Sequence, residues 1–283
     1  MNFSWVNFDN PVAIWWVFLT LASIVNIIAW SWTRVYLYKG VSFKNFNPFK
    51  LSEENLIWFS AFYVFGCAYR SFFTKADVQR ICLFDSWFSS VFLGRSVATI
   101  AEIAFVIQWA IILRFLASST KDQFSRTISF IIVPIIIIAE CFSWYAVIST
   151  NYFGNMIEES LWTVAYALIM FALIKLRTKF KGALLYAFNI SIFSCFCYIL
   201  FMIFVDVHMY FNRWTLDSKL SKNYFTFTEG IIDLNTRWVV THDIGIWKTE
   251  IPWMSLYFSF AVIVSILLCY VPLKKQRLLT HMK

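Results

Sequence analysis

Charge is what this chain has least of. Only 14% of its 283 residues are Asp, Glu, Lys or Arg, whereas 60% are apolar, 21% are aromatic and the mean hydropathy is +0.66. Soluble domains carry about 45–50% apolar and about 25% charged residues, so a water-soluble globule is excluded and an integral membrane protein is implied. Glycine and proline are scarce too, with seven and five in all. Helices then have few breaks and few close contacts of the GxxxG type, and the expected class is all-α, a polytopic membrane helix bundle of mostly whole helices. The six cysteines (Cys67, Cys82, Cys141, Cys195, Cys197, Cys269) form no CxxC pair and sit mostly in apolar runs. They read as small buried hydrophobes rather than a disulfide framework or a zinc knuckle.

Other absences remove whole function classes. No histidine falls inside an apolar run, so a bis-histidine haem across the bilayer has no ligands. The last apolar run has no lysine for a Schiff base, so no retinal is expected. A nucleotide-binding loop and a GxSxG elbow are missing, as are the internal repeats and Gly- or Pro-broken helices of secondary transporters. The net charge of +8 does not point to nucleic acid, because the basic residues lie in short clusters between apolar runs. A positive-inside bias accounts for them.

What is present is a series of runs long enough to cross a bilayer. They cover residues 11–32, 55–73, 87–113, 128–148, 159–176, 183–205 and 252–273, which predicts seven transmembrane helices. The first run is longer than a signal-peptide core and ends without a small-x-small cleavage site, so it reads as a span. The first, third and fifth loops and the tail (Lys274, Lys275, Arg277, Lys283) carry 15 Lys and Arg, against eight on the alternate side. This predicts an outer N-terminus and a cytoplasmic C-terminus, and a low-charge chain of this kind fits a bacterial inner membrane. Trp15, Trp16, Trp30, Trp32, Trp58, Trp87, Trp162 and Trp253 fall near run ends, as headgroup anchors do. Pro134 is the one proline well inside a run and predicts a kink. A single domain over 1–283 suffices, with one long outer loop at 206–250. In that loop Thr226-x-x-Glu229 has the form of a capping box, and Ile231, Leu234 and Trp238 follow at helical spacing, so a short interfacial helix is expected.

The candidate site starts in the third run. Arg95, Thr99 and Glu102 are spaced i, i+4, i+7 and share one helix face. Charges at membrane depth cost a few kcal/mol on insertion scales and face a bundle interior, a partner or water. Glu140 lies near the middle of the fourth run, at a depth similar to Glu102, so Arg95, Glu102 and Glu140 form the candidate catalytic set. Because helical side chains lean toward the N-terminus, Arg95 is expected to turn away from Glu102 toward Asp85, Glu159 or Asp206. Thr99, Asp85, Glu159 and Arg70 are candidates for binding substrate. His208, His242 and Asp206, gathered on the outer side, offer the ligand types of a metal site, though without HxxxH or HExxH spacing. Gly154-Asn155 suggests a tight turn in the fourth loop, with Glu158 and Glu159 opening the fifth helix. Glu140 and Glu158 then need not meet.

Two classes of function fit. One is a membrane-embedded enzyme acting on a membrane lipid or hydrophobic small molecule from the outer side, with Arg95 binding an anionic headgroup and the carboxylates moving a proton. The other is a non-catalytic module that binds, senses or transports an ion or small solute, or an accessory subunit whose buried charges pair with another membrane chain.

Overall fold

The computed structural model describes residues 3–272 and is 76% helical. The basic tail, residues 274–283, lies outside the described residues. The helices in chain order are α1 (Pro11–Leu37), α2 (Leu56–Phe72), α3 (Val91–Thr120), α4 (Gln123–Ser149), α5 (Tyr152–Arg177), α6 (Ala183–Phe201), α7 (His208–Lys219), α8 (Phe227–Thr236), α9 (Ile244–Trp247), α10 (Ile251–Ser255) and α11 (Val262–Leu268). Two π-helical turns interrupt them: Met202–Val207 joins α6 to α7, and Leu256–Ala261 joins α10 to α11.

Among the described residues, six helices are long and apolar enough to cross a membrane: α1, α3, α4, α5, the continuous helix Leu185–Lys219, and Ile251–Leu268. The protein is therefore an all-α integral membrane protein. Helix α2 packs against α1 and α3 and has 17 residues. That gives a length of about 25 Å, a little short of a ~30 Å hydrocarbon core. The sixth helix does not stop at 205 as its apolar run does. It continues to Lys219 because α7 still packs on the start of α5, with Tyr210 against Tyr152 and Trp214 against Phe153, and so the long loop is really 220–250. Pro134 lies inside α4, which runs unbroken from Gln123 to Ser149.

The helical hairpins α3–α4 and α4–α5 turn in only two residues each, and the turns explain how a glycine-poor chain manages this. Lys121 (φ 55°) and Thr150 (φ 59°) adopt the left-handed conformation that ends α3 and α4. Asp122 and Asn151 follow at once as N-caps, accepting from Ser125 N and Phe153 N. Short Asx side chains that bond the first helical turn restart the helix without a linker.

One end of the bundle is capped. The hairpin β1 (Lys75–Ala76) and β2 (Ile81–Cys82) pairs antiparallel, and β3 (Val239–Val240) joins β2 in parallel. The expected helix over 226–236 is present as α8 with both arms of its capping box formed. Gly230 of α8 lies so close to the end of α4 that an added Cβ would come within 2.2 Å of Ile148 O, so only glycine permits this seating. Arg80 fastens hairpin to helix: Nε donates to Asp233 at 2.7 Å, Nη2 to Val147 O at 2.7 Å and Nη1 to Asp77 O at 2.6 Å. Those bonds hold Arg80 itself at φ 59°. The N-terminal residues join the cap, with Trp5 stacked on His242 at 4.1 Å between centroids.

Candidate functional site

Below the cap, α3, α4, α5 and the last helix converge on one guanidinium. Arg95 Nη2 donates to Glu102 Oε2 at 2.9 Å and to Glu140 Oε2 at 2.8 Å, while Nη1 stands 3.6 Å from Glu158 Oε1. Thr99 Oγ1 donates to Glu140 Oε2 at 2.6 Å and accepts from Trp144 Nε1 at 3.1 Å. Tyr257 OH donates to Glu102 Oε1 at 2.9 Å, and Asn155 Nδ2 donates to Glu158 Oε2 at 3.1 Å. All four charged side chains are buried. Ligand oxygens of Glu102, Glu140 and Glu158 lie within 4.8 Å of one another, the sole such group of three among the described residues.

The local folding explains the convergence. Glu140 lies nine residues before the end of α4 and Glu158 six residues after the start of α5. At 1.5 Å per residue these are depths of about 13 and 9 Å, within reach of two glutamate side chains. Close packing at Gly154 brings the helices together, since a Cβ there would come within 2.6 Å of Phe142 O. The turn thus falls at Thr150-Asn151 rather than Gly154-Asn155, Glu158 is inside α5 rather than at its mouth, and Glu140 and Glu158 do meet.

Fully ionised, three carboxylates and one guanidinium would carry two surplus negative charges. Buried charge is tolerated only when paired and hydrogen-bonded, and the protein supplies one cation. Two buried oxygens in the cluster, Glu140 Oε1 and Asn155 Oδ1, have no protein partner. A carboxylate-rich, oxygen-only donor set of this kind suits protons or hard cations.

The other residues singled out from the sequence divide clearly. Thr99 belongs to the cluster. Arg70 adjoins it: its guanidinium lies 5.9 Å from the centre of the Phe258 ring and 3.2 Å from Asp77 in the cap. Asp85 is exposed and accepts from Trp238 Nε1. Glu159 is half-buried and Asp206 buried in the π-helical turn. Arg95 therefore does not turn to Asp85, Glu159 or Asp206; two carboxylate bonds outweigh the lean of a helical side chain. His242 Nε2 is bonded to Leu83 O while its ring stacks on Trp5, and His208 is exposed. These two histidines and Asp206 form no ligand group among the described residues. Glu158, Asn155, Trp144 and Tyr257 complete the site beyond the candidate set. The first three carried a signal, polar residues at i, i+3 or i+4 on two helices joined by a short turn; Tyr257 carried none.

Directly above the cluster, Lys75 lies across the start of α3 where Gly94 leaves room; a Cβ there would come within 2.7 Å of the lysine Nζ. Its Nζ donates to Phe88 O and Ser90 O, both at 2.9 Å, and among the described residues no carboxylate pairs with it. Burial pushes this amine down to about 7. Elsewhere in the cap Glu250 is buried and accepts from Gln79, Arg213 and Trp253.

The chain matches no protein-family description, no curated protein and no solved structure. The functional reading therefore rests on the site alone.

Proposed function

We propose that the protein is a membrane-embedded cation-binding module in which Glu102, Glu140 and Glu158 take up protons or a hard metal ion, with Arg95 as their fixed counter-ion. The observation that carries this reading is the charge imbalance of the cluster, together with the unbonded, buried Glu140 Oε1 and Asn155 Oδ1. The cap places a further charge near the cluster: Arg70, paired with Asp77 at 3.2 Å, lies over the ring of Phe258, the residue after Tyr257, whose hydroxyl donates to Glu102. In this reading α2 is the seventh span and the capped end faces outward, as the eleven Lys and Arg within residues 34–50, 114–126 and 175–181 at the opposite end support. A headgroup-binding role for Arg95 gains nothing from the geometry, because its nitrogens already face three carboxylates.

The test is thermal unfolding of the purified protein in lipid nanodiscs with Na⁺, K⁺, Mg²⁺, Ca²⁺ or Mn²⁺, each across a pH series. A ligand held by the native state adds about 2.7 kcal/mol at a hundredfold excess over Kd. At least one cation, or proton uptake, should raise the midpoint in wild type and fail to do so in Glu140→Gln and Glu158→Gln. Identical responses in all three proteins would overturn the reading.

A further inference from the structure

Away from the charged cluster, on the membrane-facing side of α2, lies a groove of about 470 Å³ lined by Trp30, Phe62, Phe65, Tyr69, Val97 and Ile100 among others. It is almost wholly apolar. At the foot of α2 a second, polar cleft of about 150 Å³ is bounded by Gly40, Ser42, Asn45, Glu54 and Asn55. Trp58 is a wall of both. Apolar groove and polar cleft therefore meet at one indole, at the end of the bundle opposite the cap.

Three features of this junction specify an occupant. From Trp58 to Tyr69 the groove follows α2 for about 16 Å, the length of much of an acyl chain. Because α2 is short for a bilayer, its foot and the polar cleft lie at headgroup depth rather than in water. Charges of both signs flank Trp58. Glu54, on the cleft wall, is exposed and has no hydrogen bond or ion pair among the described residues, and the Arg34 guanidinium, which donates to Tyr38 O and to Val41 O of the cleft wall, sits 5.1 Å from the Trp58 ring centre. A headgroup with an ammonium and a phosphate complements that pair. An indole between a charged cleft and an acyl groove also has its usual interfacial place.

We propose that groove and cleft together bind one zwitterionic glycerophospholipid with an ethanolamine headgroup. The acyl chain lies along α2 against Phe62, Phe65 and Ile100. The ammonium meets Glu54, and the phosphate lies on the Arg34 side of Trp58. This site is independent of the glutamate cluster and of any cation bound there.

Native mass spectrometry of the full-length protein, released from nanodiscs holding equal phosphatidylethanolamine and phosphatidylglycerol, tests the assignment. Wild type should retain one phosphatidylethanolamine about tenfold in preference to phosphatidylglycerol, a difference of about 1.4 kcal/mol. Ala61→Trp, which fills the groove, should reduce retention of both lipids about tenfold. Glu54→Lys, at an exposed position, should reverse the headgroup preference without loss of fold. Equal retention by wild type and Ala61→Trp overturns the groove. An unchanged preference in Glu54→Lys overturns the headgroup assignment. Recovery of a second polypeptide on this face in place of lipid overturns both.

Discussion

Helix α3 carries two buried polar clusters about 20 Å apart along its axis, and they are finished to different degrees. Around Gln108 the groups are neutral. Its Nε2 donates to Leu56 O and Ser265 O at 3.2 Å, Ser265 Oγ donates to its Oε1 at 2.6 Å, and Ser60 Oγ completes the set on Ser265 at 3.1 Å. Every side-chain polar atom there has a protein partner. Around Arg95 the groups are charged, the acids outnumber the base, and Glu140 Oε1 and Asn155 Oδ1 are buried without one. Buried networks that are fully satisfied fix a unique packing, whereas partly satisfied ones are costly unless something else completes them. The contrast assigns α2, α3 and α11 at the Gln108 level to architecture, and the Arg95 level to ligand chemistry.

The largest blow to that contrast comes from Arg95→Ala. It removes the lone cation from three buried carboxylates, and breaking a buried pair from one side costs about 3–5 kcal/mol. Accumulation and chemical unfolding in detergent should show a loss of that size, with Arg95→Lys in between because one ammonium keeps the charge but cannot face Glu102 and Glu140 from Nη2 and Glu158 from Nη1 at once. A loss in Arg95→Ala no larger than that of a surface arginine would show that the cluster is not held by this ion. Gln108→Leu comes next. It removes the acceptor of the Ser265 hydroxyl and the side-chain donor to Leu56 O and Ser265 O, leaving Ser60 as the side-chain partner of Ser265, at about 1–3 kcal/mol, and the loss should be the same at every pH and in every salt. A salt-dependent loss there would erase the distinction between the two levels.

Six of the seven runs were legible as spans because apolar runs report lipid exposure directly; the run at 55–73 became α2, with 17 residues. The Arg95, Thr99, Glu102 stripe and Glu140 were legible because charge at membrane depth needs a reason. Glu158 was legible only in its i, i+3 spacing from Asn155, because two acids beside Gly154-Asn155 look like a helix opening after a turn. The chain instead turns on a left-handed Thr150, a residue that carries no turn signal of its own, and α5 starts seven residues before Glu159. Tyr257 reaches Glu102 from a π-helical turn, where the wider winding shifts side chains off the 3.6-residue period by which faces are read. His242 was misplaced for a different reason. Its ring is used by Trp5 from the N-terminus, a contact between residues far apart in the chain.

A smaller, local effect tests where the charged region ends. Lys75 has its amine lowered from 10.5 to about 7 by burial. Between those values the unfolded hairpin binds a proton that the folded one does not, so cap stability rises with pH from about 7 to about 10. Below 7 both forms are protonated and the slope vanishes. Hydrogen exchange at residues 75–82 should slow across that window, after correction for intrinsic exchange, and Lys75→Met should abolish the dependence. A slope that persists in Lys75→Met would move its origin to another group in the cap.

The smallest change in stability is expected from Glu140→Gln, and it separates the two regions most cleanly. At the Gln108 level any lost polar group leaves a partner unsatisfied. At the Arg95 level an amide in place of Glu140 keeps an oxygen for Arg95 Nη2 and Thr99 Oγ1 while removing one surplus negative charge. The lost charge-assisted bond and the relieved repulsion oppose each other, so net stability should change by no more than about 1 kcal/mol. Its amide also supplies a donor where the carboxylate had an unpaired acceptor. The cation or proton response of the wild type should nevertheless disappear. A variant as stable as wild type but unresponsive would identify Glu140 as a ligand rather than a strut. A variant that unfolds as readily as Arg95→Ala would instead make the charged level a second piece of architecture, equivalent to the Gln108 level and merely more expensive in desolvation.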